Sequence, residues 1–421
     1  MDQPVKPQAR PAAVAFVFAV VLIDVIALGI IIPVLPKLVE DMLGGDTPRA
    51  AEIYGLFGTA WALMQFLASP VLGALSDRFG RRPVLLVSMV GHGLDYILMA
   101  LAPTLWWLFL GRVLSGITAA SFSTAYAYIA DVTAPERRAK QFGLIGAAFG
   151  IGFVLGPALG GVLGAIDPRL PFWAAAAFSL ANALYGWLVL PESLPPEKRS
   201  AFRWKGANPV GALQLMRTSA TLLGLAGVAF LYQLAHAALP AVAVLYCTYR
   251  YGWDTQMVGL SLAAVGIASG IVQAGLVQSF IGWIGERGTF LLGLACGVAG
   301  FATYGFAPTG AWFFAGIPLM GLWGLGGASS QALMSRLVGP QAQGQLQGAN
   351  ASIMGLAGLI GPGLFTLTFA AAIRPDAAWH LPGAPFLLAA LLMAAALALG
   401  WWVTRASGVR PAGSRHDGAI P

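Results

Sequence analysis

Three ionisable residues stand inside long apolar runs, where their chemistry is restricted to carrying a proton or holding a partner. They are Asp24, Asp95 and Arg112. A charge within a membrane-spanning segment costs roughly 2.5–3.5 kcal/mol, so it faces a cavity or a partner. Asp95 lies seven residues before the end of its apolar segment and Arg112 seven after the start of the next. At 1.5 Å rise per residue both sit about 10 Å deep. A direct or water-bridged pair follows, either a working pair that exchanges a proton or partner or only a static ion pair. Asp24 has no evident partner in the sequence. Burial disfavours the charged form of a carboxylate, so an aspartate placed this way can carry a proton; the alternative is a polar residue near a helix end. In the second half of the chain, His236 is the one titratable group near mid-segment. It is read either as a proton carrier or as a hydrogen-bonded packing residue, and His92 is open to the same two readings. Gln65, Gln233 and Gln273 suit a polar cavity or a bridge between helices.

A second cluster is the run Gly73-Ala-Leu-Ser-Asp-Arg-Phe-Gly-Arg-Arg82, wedged between two membrane-length apolar segments. Gly73 and Gly80 permit close backbone approach and positive φ. Asp77 can accept hydrogen bonds at a helix start, while Arg78, Arg81 and Arg82 can reach carboxylates and helix C-termini. The expected role is a gate latch rather than a substrate site, with an ordinary positive-inside loop as the bland reading.

The elements that must position these residues are helices. Hydrophobic residues make up 58% of the 421, charged ones 10%, and mean hydropathy is +0.75, values that point to a membrane protein. Hydropathy predicts twelve spans near 12–36, 54–75, 84–102, 105–130, 141–165, 171–191, 220–246, 257–281, 289–307, 311–333, 346–373 and 382–404. The first apolar run lacks a small-residue cleavage site and is expected to be a retained helix. The predicted organisation is a tail (1–11), a six-helix bundle (12–191), a linker (192–219), a second six-helix bundle (220–404) and a tail (405–421). Of 24 Lys and Arg, 18 fall on the side of the two tails and 5 on the other. Both termini are therefore expected in the cytoplasm. That distribution accounts for the formal charge of +7, and nucleic acid is not needed as a partner. Cys247 and Cys296 give neither a disulfide framework nor metal-ligand spacing.

An internal repeat is visible. Gly80 precedes Gly156-Pro157 by 76 residues, and Gly285 precedes Gly361-Pro362 by the same interval. The two copies are offset by 205, as are Gly143 and Gly348. In the first copy Gly152, Gly156 and Gly160 recur every fourth residue, followed by Gly161. They form a flat stripe where another helix can approach, and Pro157 loosens the helix there.

Family resemblance rests on these segments. The pattern G-x-x-x-D-R-x-G-R-R resembles the loop between helices two and three of major facilitator superfamily transporters. The glycine stripe with Pro157 resembles the antiporter signature of its proton-coupled exporters. Asp24 within Leu22–Pro36, the run Met64–Pro70, Leu94–Ala100, Gly111–Thr118, Ile129–Thr133 with Glu136 and Arg137, Leu346-Gln-Gly and Gly361–Phe365 resemble the tetracycline/proton antiporter family. The match is dense over the first half and patchier over the second. It implies an all-α membrane protein of two pseudo-symmetric six-helix bundles. It also implies that Asp24, Asp95 and Arg112 are the functional acids and arginine. The sequence departs from the family twice: the helix-eight histidine is Ser269 and the helix-nine acid is Gly297.

The function expected is proton-coupled antiport, exporting a drug-like molecule such as tetracycline across a bacterial inner membrane. Export of an endogenous metabolite or sugar is the alternative. No metal or organic cofactor is expected, the proton gradient supplying energy; the partners are substrate, protons and lipid, and the chain is expected to be a monomer. An enzyme or receptor is less well supported, because no span carries a nucleophile with a base, a metal-ligand cluster or paired catalytic carboxylates.

Overall fold

The structure is a computed structural model describing residues 11–119, 121–133, 135–199, 211–338, 343–377 and 380–406. The predicted tails and the centre of the predicted linker lie largely outside these residues. Every regular element among them is helical. In chain order these are α1 (Pro11–Ile31), α2 (Leu35–Met42), α3 (Thr47–Phe79), α4 (Arg81–Leu101), α5 (Leu105–Thr118), α6 (Ser121–Val132), α7 (Pro135–Ile166) and α8 (Leu170–Val189). After the linker come α9 (Ala220–His236), α10 (Ala238–Tyr251), α11 (Thr255–Ile271), α12 (Val277–Phe306), α13 (Gly310–Arg336), α14 (Gln343–Ile373) and α15 (Ala384–Ala406).

Ten helical stretches among the described residues are long and apolar enough to cross a membrane, with Leu105–Thr118 as a shorter apolar helix. Four predicted spans are interrupted among the described residues: 12–36 comprises α1 and α2, 105–130 comprises α5 and α6, and two others break as follows. The span 220–246 is α9 and α10, meeting at Ala237. Pro240 explains the break, since its ring clashes with the carbonyl four residues back, that of His236. The span 257–281 contains a π turn at Val272–Leu276 carrying Gln273. One apolar stretch, Thr255–Phe306, has 52 residues and is broken at Gly285, where φ is 73°.

That break validates the repeat. Gly80 and Gly285, 205 residues apart, both adopt positive φ at a helix junction, 106° and 73°. Pro157 and Pro362 both lie inside long helices, α7 and α14.

The chain forms two compact units. One comprises the described parts of Met1–Asn208 with Leu239–Ile267 and Leu359–Pro382. The other comprises those of Pro209–Ala238, Ala268–Gly358 and Gly383–Pro421. In the first unit α1 packs on α7 and α8, and α4 packs on α5 and α8. Ile30, Phe57, Met99, Leu108 and Phe172 centre one core cluster there; Val21, Met89, Tyr128 and Ile145 centre the other. In the second unit α12 contacts α13 and α15 most extensively.

Candidate functional site

The buried charges converge in the first unit, with a partner the sequence did not reveal. Asp24 on α1 is 5% exposed and is not alone: its Oδ1 lies 3.5 Å from Nδ1 of His92 on α4. This corrects the expectation of a partnerless carboxylate. His92 is 5% exposed, stacks on Tyr96 at 6.1 Å and lies beside the Ser115 backbone carbonyl of α5. One helical turn along α4, Asp95 is 1% exposed and within electrostatic reach of His92 and Arg112.

Asp95 and Arg112 meet otherwise than expected. Instead of forking onto the carboxylate, Arg112 donates from Nη2 to Ser115 Oγ at 2.7 Å. Arg112 Nε and both Asp95 carboxylate oxygens make no hydrogen bond of good geometry. Ser115, fully buried, stands beside the Asp95 carboxylate and accepts from the guanidinium. The arginine and acid thus communicate through a hydroxyl able to accept from one and donate to the other. Gly111 makes room: a Cβ there would lie 2.8 Å from Asp95 Oδ1.

Beside this chain is a water-sized cavity of about 10 Å³ lined by Asp24, Leu28, Trp61, His92 and Ala119. Trp61 Nε1 has no hydrogen-bond partner. Gln65 is half-buried one turn further along α3, on the same helical face as Trp61.

The glycine stripe positions Asp24. A Cβ on Gly152 would meet Val25 at 2.6 Å, one on Gly156 would meet the Gly29 backbone at 2.6 Å, and one on Gly160 the Ile30 carbonyl at 1.9 Å. Thus α7 seats α1 closely over the two turns that follow Asp24, backbone to backbone at Gly156 and Gly160. Gly161 faces the other way: its Cβ would lie 2.7 Å from the Thr255 carbonyl and 3.1 Å from Gly259. Pro157 shares that contact through its carbonyl, 2.4 Å from a Cβ at Gly259. The same unit holds further contacts between sequence halves. Glu52 pairs with Arg374, Thr366 fills the space beside Gly55, and Tyr54 Oη donates to the Pro240 carbonyl at 3.3 Å.

The predicted charged loop is barely a loop. Asp77 and Arg78 belong to the last turns of α3, Arg81 and Arg82 to the first turn of α4, and Gly80 alone turns the chain. Gly73 lies within α3 with nothing near its missing side chain, so the expected close approach does not occur there. Nor does Asp77 cap a helix start. Glu192, from beyond α8, does so: its carboxylate accepts from the backbone N–H groups of Arg81 at 2.9 Å and Arg82 at 3.3 Å. This is the anion position favoured by the helix dipole. Asp77 instead pairs with Arg81, whose Nε donates to Asp131 at 3.0 Å and Nη1 to Ser76 Oγ at 2.7 Å. Arg82 donates to the Trp187 carbonyl at the end of α8, as an arginine meeting a helix C-terminus should. Arg78 lies over the Phe79 ring at 5.1 Å. Glu192, Asp131 and Ser76 were not anticipated; the Glu-Ser pair directly after the sixth predicted span was the available signal.

In the second unit, His236 retains exposed surface and packs at a tilt against Trp323, ring centroids 5.3 Å apart. Trp323 also explains one departure from the family. A Cβ on Gly297 would meet its ring at 2.6 Å and its Nε1 at 3.0 Å, so the indole fills the volume a longer side chain would need. Ser269 is half-buried on α11, one turn before Gln273, whose side chain lies by Gly324. Gln233 lines a cavity between α9, α12, α13 and α14.

A family model described as Major Facilitator Superfamily matches residues 17–362. The class C tetracycline resistance protein of Escherichia coli is 39% identical over 378 residues, covering 89% of this chain and 95% of the relative. The class G protein of Vibrio anguillarum is 38% identical over 349 residues, covering 83% and 88%. Among solved structures, the human organic anion transporter MFSD10 aligns with a TM-score of 0.69 at 24% identity, over 94% of this chain and 100% of that one. The nucleoside transporter NupG aligns at 0.73 and 13%, over 93% and 99%; these two likenesses concern the fold.

Proposed function

Because this chain belongs to the Major Facilitator Superfamily, we propose that it exports tetracycline-type compounds across a bacterial inner membrane in exchange for protons. The observation that carries the reading is the buried series Asp24, His92, Asp95, Ser115 and Arg112. Antiport requires a site that alternates between protonated and deprotonated forms, each favouring a different global conformation, since equal affinity for both would shift nothing. A neutral Asp24 tolerates an occluded apolar core; a charged one needs His92, water or a cationic substrate. With Gly297 in place of the family's second acid, the first half supplies the switching. The relatives named for tetracycline resistance favour a drug over an endogenous metabolite or sugar.

The remaining parts have mechanical roles. Glu52–Arg374 with Thr366 at Gly55 serves as the latch on one membrane face. The Asp77–Arg81–Asp131 cluster serves as the latch on the other. Treating the break at Gly285 as a boundary and Leu105–Val132 as one span gives twelve crossings. The bias of basic residues then puts both tails in the cytoplasm. Under that topology an impermeant thiol reagent fails to label Ser200→Cys in intact cells, and strong labelling overturns the orientation.

Reconstituted vesicles with an imposed pH gradient test the mechanism. Asp24→Asn and Asp95→Asn should each abolish gradient-driven tetracycline movement, while substrate-gradient exchange partly survives in at least one. Wild-type movement indifferent to the gradient, or both variants pumping normally, would sink the antiport reading.

A further inference from the structure

The second unit holds a partly open cavity of about 150 Å³ with an unusual wall. Apolar side chains, among them Val228, Leu294 and Met334, line part of it; the rest is Tyr232, Gln233, Ser330, Gln331 and Asn350, with Gly326 and Gly327 between. None of the lining residues is ionisable at neutral pH.

Two amides are already locked to one another: Asn350 Nδ2 on α14 donates to Gln331 Oε1 on α13 at 2.6 Å. Whichever way their planes are turned, that bond leaves one acceptor and one donor over, side by side. In the orientation described, the leftover acceptor is Asn350 Oδ1, which is buried and has no hydrogen-bond partner. Beside it Ser330, 6% exposed, also lines the cavity with an unpartnered hydroxyl. Buried polar atoms left open are costly, and here they come together in one recess. The Tyr232 hydroxyl contacts the Trp323 carbonyl at 3.5 Å, and its ring packs at a tilt against Trp323, centroids 4.8 Å apart. This fixes an aromatic surface on another wall. Gly327 holds the recess open: a Cβ there would lie 3.1 Å from the Tyr232 oxygen.

We propose that this recess is a substrate subsite that takes a neutral, ring-borne group presenting a hydrogen-bond donor and acceptor side by side, namely a primary carboxamide. The proposal deepens the exporter reading and rests on it. Size supports a single ring, since a cavity of about 150 Å³ accommodates a benzene-sized group. Charge supports a neutral group there, because an ion would find no counter-charge among the lining residues. The labour is then divided, with protons handled in the first unit and the neutral face of the substrate in the second.

Tetracycline is the probe, because one of its rings carries a primary carboxamide. Its nitrile analogue, with the carboxamide replaced, is the comparator. Binding to purified full-length protein is measured by titration calorimetry, independently of transport. Ser330→Ala and Asn350→Ala should each weaken tetracycline about tenfold. The nitrile should bind less tightly to wild type and be nearly insensitive to both substitutions. Gly327→Ala, which narrows the recess from another wall, should weaken both ligands and serves if Asn350→Ala fails to fold. Folded variants binding tetracycline as wild type does, or wild type not binding it, overturn the subsite. Equal losses for tetracycline and nitrile with Ser330→Ala overturn the assigned chemistry. Binding as expected in a protein indifferent to an imposed pH gradient overturns the exporter reading instead.

Discussion

Gly160→Ala tests whether helix seating governs the buried carboxylate. The added methyl would stand 1.9 Å from the Ile30 carbonyl oxygen, 2.7 Å from its carbon and 3.0 Å from its Cα. All three are backbone atoms, so no side-chain rotation relieves the clash. Bringing the shortest contact out to 3.0 Å requires α1 to retreat by about 1.1 Å. Ile30 lies six residues beyond Asp24 on the same helix, less than two turns away. A retreat of that size is substantial beside the 3.5 Å Asp24–His92 contact. Overpacking of this kind costs about 1–3 kcal/mol, and misplacing a functional group by about 1 Å can cost around a hundredfold in rate. Gly146→Ala and Gly150→Ala on the same helix are the controls, because nothing lies within 4 Å of either added methyl. Thermal melting in detergent and gradient-driven uptake into everted vesicles read both consequences. Gly160→Ala should melt earlier and transport at least tenfold more slowly, with both controls near wild type. Gly160→Ala matching its controls in both assays would refute the seating argument.

Gly80→Ala combines positive φ with a methyl 2.2 Å from the Glu192 carboxylate, and should destabilise by about 1–3 kcal/mol, read as a lower melting temperature. Glu192→Gln removes the charge capping α4 and should cost about 1 kcal/mol; an unchanged melt would deny the cap any weight. Asp77→Asn should slow transport several-fold while purified protein still binds tetracycline, and lost binding in a folded variant would remove the latch assignment. Glu52→Lys should slow transport and Glu52→Lys with Arg374→Glu restore it, the pair being partly exposed and worth under about 1 kcal/mol; a double variant as slow as the single one would count against the pairing.

The legible parts were those written locally in the chain. Glycines four residues apart can only make a flat face, and α1 occupies it. Gly80 and Gly285 matched in interval and proved matched in backbone conformation. Depth estimates placed Asp95 and Arg112 in one neighbourhood. They could not show that Ser115, one turn beyond Arg112, would take the guanidinium, because arginine can satisfy its donors on any oxygen in reach. Nor could periodicity foresee His92 beside Asp24: the two lie on helices that meet only through tertiary packing. The charged run was expected as a loop because hydropathy ends an apolar span at its first charges, although a helix can continue through them. One glycine with positive φ sufficed for the turn, leaving its neighbours free to be helical. Glu192 was hidden for the opposite reason, a distant acid doing the work expected of Asp77.

The indole over Gly297 has an evolutionary consequence. An acid placed there by one substitution would bring its first carbon to 2.6 Å from the Trp323 ring and 2.8 Å from the Met393 methyl, so it is disfavoured while both stay in place. Shrinking Trp323 first would strip a neighbour from Tyr232, His236 and Phe301 at once. Each step alone is disfavoured and only the double change leads across, so the two sites are epistatic.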